Sequence, residues 1–110
     1  MIPKNRFYFL ENASTAQQSD TTSNVTGETL TMQVEGTATS FSLQLLGCSD
    51  NKSNDFYPIT GFTLGFDTVD TITAKGIYTF GIEGFGRLKV NLTAVSGGSV
   101  TVFAKVTQGV

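Results

Sequence analysis

The sequence predicts an all-β protein: an antiparallel β-sandwich, jelly-roll or immunoglobulin-like, of about eight short strands. Three observations carry this expectation. Apolar residues recur with a period of two in run after run, which is the pattern of strands that cover a core on one side. Twelve glycines and many Ser and Thr residues supply turns and pleated surface rather than helix. No helical stripe, heptad or internal repeat interrupts the alternation.

The clearest alternation lies in residues 75–106, KGIYTFGIEGFGRLKVNLTAVSGGSVTVFAKV. Tyr78, Phe80 and Ile82 share one face, then Leu88, Val90, Leu92 and Ala94, then Val100, Val102, Ala104 and Val106. Gly84-Phe85-Gly86 and Ser96-Gly97-Gly98 supply positive-φ positions suited to short hairpin loops, so the three runs read as a meander. The glycines of residues 81–86 suggest a phosphate loop, but no helix follows to hold a phosphate, and a hairpin is expected instead.

Upstream, residues 6–10 form a strand candidate placed at an edge by Pro3. Residues 12–26 then turn polar, with Val25 as their one large apolar residue, and read as a solvated loop or an arm ordered against a neighbouring subunit. Residues 28–34 place Leu30, Met32 and Val34 inward, and 40–46 do the same with Phe41, Leu43 and Leu45. The polar stretch GCSDNKSND, 47–55, must be a surface loop. The chain re-enters through Phe56-Tyr57-Pro58-Ile59, followed by alternating Phe62, Leu64 and Phe66 and a threonine-rich strand over 69–74. With 110 residues, all of this fits a single domain, 1–110.

Composition narrows the function classes. A net charge of −2 and seven scattered basic residues argue against a nucleic-acid partner and a polybasic membrane anchor. No apolar run reaches the length of a bilayer span, and the first residues carry no signal-peptide pattern, so synthesis in the cytosol is expected. The chain has no histidine, which removes the commonest general base and zinc ligand. The single Cys48 has no partner for a bridge or a CxxC site and reads as a small residue at a strand end, with only Lys52 nearby to lower its pKa. The carboxylates sit in polar loops and strand ends, unlike a glycosidase pair, so no catalytic residue, cofactor or metal is expected.

Two groups of residues remain as candidates. Asp50, Asn51 and Asp55 with Phe56 and Tyr57 make an oxygen-rich loop ending in aromatics, a candidate ligand loop for a glycan. As a calcium site it has Lys52 where a ligand belongs and lacks the turn glycine. Phe103 and Val95 point to the polar side of their strands, and Phe85 sits in a glycine turn; all three are candidate interface residues. An exposed apolar face and a polar arm together suggest a cyclic homo-oligomer, with a trimer favoured.

Residues 43–106 resemble small β-sandwich proteins and domains of tailed bacteriophages and their prophages. The resemblance lies in the strand entering GCSDNKSND, the Phe56-Tyr57-Pro58 exit and the Gly-Ile-Tyr-Thr-Phe strand. It continues through Arg87-Leu88-Lys89-Val90 and Ser-Gly-Gly-Ser-Val-Thr-Val. It implies a non-enzymatic virion accessory, a capsid decoration, head-fibre or neck-tail module. Such a protein would be made in the bacterial cytoplasm and located in the virion, with the major capsid or a neck or tail protein as partner. A carbohydrate-binding or host-adsorption module is the alternative. The loop departs from the family pattern, since no glycine follows Asp50 and Phe56 stands where a tryptophan is usual.

Overall fold

The computed structural model describes residues 7–23, 29–49, 52 and 55–107. They form two antiparallel sheets facing each other, a β-sandwich with no helix among the described residues. Eleven strands appear rather than about eight, because several polar segments contribute two-residue pairings that carry no apolar alternation. The strands are β1 (Phe7–Ala13), β2 (Gln17–Gln18), β3 (Thr22–Ser23), β4 (Thr29–Gly36), β5 (Ser40–Cys48), β6 (Tyr57–Pro58), β7 (Gly61–Thr63), β8 (Thr68–Val69), β9 (Gly76–Gly81), β10 (Arg87–Ser96) and β11 (Val100–Thr107). The six-stranded sheet runs β1-β11-β4-β9-β7-β8. The five-stranded sheet runs β2-β10-β5-β6, with β3 also on β10.

The inward residues expected from alternation form the core. Leu30, Met32, Val34, Leu43, Leu45, Leu88, Val90, Leu92, Val100, Val102 and Ala104 are all at most 1% exposed. Burying one such aliphatic side chain contributes about 1.5–3 kcal/mol. No polar or charged residue is buried among them, so hydrophobic burial is not offset by desolvated polar groups.

The expected meander is corrected. β9 and β11 both flank β4 in the six-stranded sheet, whereas β10 lies in the other sheet on β5. The two glycine segments are therefore not hairpins but arches that carry the chain across the gap between sheets, roughly 10 Å. In the first, Phe85 N–H donates to Ile82 O at 3.0 Å, with Gly84 at φ 98°. The second, 97–99, lies against the arch that joins β4 to β5. Thr37 and Ala38 N–H both donate to Ser99 O (2.9 and 3.0 Å), and Thr39 N–H donates to Ser96 O at 3.0 Å. Ser99 N–H returns a bond to Thr37 Oγ1 at 3.1 Å. Alternation alone cannot separate a hairpin from an arch, because both restart the same inward face.

Bulges shift parity twice. Between Leu92 and Ala94 the register with β5 slips, which leaves Ala94 exposed and turns Val95 toward the core. The expectation of Ala94 inward and Val95 outward is thereby reversed. In β1, register shifts after Tyr8 and Leu10 let the adjacent Phe9 and Leu10 both be buried.

The polar segment predicted as a loop or arm lies, over 17–23, on its own domain. Gln17 and Gln18 pair with Leu92 and Asn91, and Thr22 and Ser23 pair with Leu88 and Arg87. Between them Ser19 stitches the edge: its N–H donates to Val90 O and its Oγ accepts from Val90 N–H, both at 2.8 Å. Residues 24–26 of that segment lie outside the described residues.

The arches predict a sensitive position. Gly36 has φ 135°, and a Cβ there would collide with Ser99 O and lie 3.0 Å from Val100 Cα, both backbone atoms. Gly36→Ala is expected to destabilise the fold by about 1–3 kcal/mol, lowering Tm by on the order of 10 °C. Thermal unfolding followed by circular dichroism checks it.

Candidate interaction surfaces

The ligand-loop candidates are not brought together as a site. Asp50 and Asn51 lie outside the described residues, and Asp55 is exposed. Phe56 folds back over the outer face of the five-stranded sheet, where Lys89 Nζ stands 4.4 Å and Arg87 Cζ 5.1 Å from its ring centroid. Two cations against one ring are each worth about 0.5–1 kcal/mol at an exposed site. Phe56 is thereby held against β10. Tyr57, 66% exposed, is the remaining aromatic there.

Beneath this latch the outer face is unexpectedly apolar. Leu46 and Cys48 alternate with the inward Leu45 and Gly47, yet only 8% and 5% of their surface is exposed. Arg87 Nη2 approaches Cys48 Sγ at 3.9 Å, so a cation stands beside the thiol, reached across β5 and β10. Gly47 itself faces inward, where a Cβ would meet Ile59 Cδ1 at 2.6 Å and Phe85 Cδ1 at 2.8 Å. Phe85, expected at an interface, packs on the core over that glycine.

Of the three interface candidates, only Phe103 stands on an outer face. Val95 and Phe103 do not share a surface, since β10 and β11 belong to different sheets. Phe103 lies across from Tyr8 of β1, with ring centroids 5.7 Å apart and planes tilted by 55°. Tyr8 is 44% exposed. The row continues across the six-stranded sheet through Gln33 to Ile77, and Phe62 stands one row away opposite Thr79. This face is mixed apolar and polar, with Lys105 beside Phe103 on β11.

A third surface was not legible as such. Phe62, Leu64 and Phe66 alternate, but none is inward: the β7–β8 hairpin ends the sheet, and its tip carries Leu64 and Phe66 at 66% and 85% exposure. Thr63 builds the tip. Its N–H donates to Asp67 O (2.9 Å), its carbonyl accepts from Phe66 N–H (3.0 Å), and its Oγ1 accepts from Gly65 and Asp67 N–H (both 3.2 Å). Phe66 is held at φ 69°, a region that bulky side chains rarely occupy. Gly65 and Asp67 on either side of Phe66 were the available turn signal.

Among the described residues no group of His, Cys, Asp and Glu could hold a metal, and no helix is long and apolar enough to cross a membrane. A shallow, open depression lined by Thr60, Thr68, Val69, Asp70 and Thr71 lies beside the last strands.

The latch generates a prediction. Phe56→Ala should destabilise the protein by about 1–2 kcal/mol and speed modification of Cys48 by a thiol reagent under native conditions. Unchanged thiol reactivity would mean that Phe56 does not shield Cys48.

Comparison with known proteins places the molecule. A solved structure titled SPBc2 prophage-derived protein YomS superimposes with a TM-score of 0.84 at 22% identity, covering 96% of this chain and 95% of that one. A second, the PBSX exported protein XepA, gives the same TM-score at 25% identity over 92% of this chain. The chain spans only 36% of XepA's length. Curated protein sequences return no match. The family model XepA matches residues 4–106. This chain therefore belongs to the XepA family.

Proposed function

We propose that the chain is a non-enzymatic structural protein of a phage or prophage particle, acting by protein–protein contact as a homo-oligomer. Its further partner is the capsid or the neck and tail of that particle. The observation that carries this reading is the outer face of the six-stranded sheet, where Tyr8 and Phe103 pair beside Lys105 instead of presenting the uniformly polar surface of a free sheet. The prophage derivation stated for YomS supports it, and the exported character stated for XepA supports a place of action outside the host cytoplasm.

A glycan-binding or host-adsorption module is the second reading. It rests on Tyr57, an aromatic ring open to solvent, two residues after Asp55 in the sequence.

Phe103→Asp tests the first reading. Phe103 lies outside the core cluster, so the fold should persist while self-association weakens at least about tenfold, close to 1.4 kcal/mol. Sedimentation velocity over a concentration series checks it. A wild-type chain that stays monomeric at high concentration would remove self-assembly from the proposal.

A further inference from the structure

The outer face of the five-stranded sheet carries a row of side chains that the core does not use. Gln44 stands between the buried Leu43 and Leu45, and Asn91 between the buried Val90 and Leu92, so both point outward. Asn91 is the register partner of Gln44 on one side and of Gln18 on the other. Three carboxamides therefore stand in one line across β2, β10 and β5, roughly 10 Å from end to end at the usual strand spacing. Thr71 extends the line past β5, its Oγ1 accepting from Gln44 Nε2 at 3.3 Å. Among the described residues, no protein group hydrogen-bonds the side-chain amides of Gln18 and Asn91. Their donors and acceptors are left for a ligand.

The rest of the face says what that ligand is. In the next outward row Lys89 pairs with Leu46 and Leu46 with Pro58, and Phe56 lies against Lys89 and Arg87. Leu46 and Cys48 are already buried, so the row has no apolar centre of the kind protein interfaces are built on, and nothing to insert into a bilayer. A nucleic acid would need many clustered cations. Here two cations share one ring, and the β2–β3 link adds the exposed Asp20. What a carboxamide does match is a pair of neighbouring hydroxyls: its N–H donates to one oxygen while its carbonyl accepts from the other. Three such groups in line suit a chain of sugar rings laid across the strands, and the half-buried Phe56 ring flanks it with a surface for the apolar face of a sugar.

We propose that the Gln18–Asn91–Gln44 row binds an uncharged polysaccharide through its vicinal diols, each amide engaging one pair of hydroxyls. This rests on the glycan reading above and moves its contact from Tyr57 to the outer face of the five-stranded sheet.

Native electrophoresis through gels containing mannan, dextran or mixed-linkage β-glucan tests it. At least one of the three polymers should retard the wild-type chain. Periodate oxidation of that polymer, which cleaves vicinal diols, should abolish the retardation. Asn91→Ala and Gln44→Ala should each weaken binding at least about tenfold and leave Tm unchanged, since both side chains point away from the core. Retardation that survives periodate, or amide variants that bind like the wild type, would overturn the proposal. If Tyr57→Ala abolishes binding while Asn91→Ala and Gln44→Ala do not, the glycan reading stands and the row is not its site. A wild-type chain that migrates in all three gels as it does without polymer removes both.

Discussion

The molecule depends on two arches that hold each other. β4–β5 and β10–β11 each cross from one sheet to the other at the same end of the sandwich, and Ser99 O accepts both Thr37 and Ala38 N–H while Thr37 Oγ1 accepts Ser99 N–H. The strands that leave them pair on both sheets, β4 with β11 and β5 with β10. One set of bonds therefore sets the spacing of the layers and the register of their central strands together. Gly36, Gly97 and Gly98 sit where the arches touch, all at positive φ and all with a neighbour's atoms in the place of a Cβ.

That framework explains which parts of the chain are free for function. The central strands are committed to the core, while the flanks carry short or irregular elements: the bulged β1 and the stitched β2 and β3 on one side, β6, β7 and β8 on the other. Edges of this kind resist indiscriminate strand pairing. The flanks carry different aromatics. Phe56 spends its ring on Lys89 and Arg87, whereas Phe66 has no such employment.

Much of the fold was legible because one rule governs it: a side chain at an even step from a buried one is itself buried. That rule placed Leu30, Met32 and Val34, and Leu88, Val90 and Leu92, without error. It failed at Val95, where a bulge shifts the step; Phe62, Leu64 and Phe66 alternate as well, yet all three are exposed. Connectivity was not legible, because Gly84 and Gly97 serve an arch as well as they serve a hairpin. Of the candidate interface residues, Phe103 lies on an outer face, as its position on the polar side of its strand implied. Tyr8 opposite it was missed as a partner, because the pairing of β1 with β11 joins the two ends of the chain and leaves no local trace.

The claim most open to direct measurement is that the arches belong to the monomer and the flanks to the assembly. Amide hydrogen exchange of the native chain, compared at dilute and concentrated protein, separates the two. Concentration should protect the segments next to Tyr8 and Phe103. Thr37, Ala38 and Thr39 should exchange slowly and equally at both concentrations. Segments next to Tyr8 and Phe103 that exchange alike at both concentrations, or arch amides slowed only by concentration, would contradict the account.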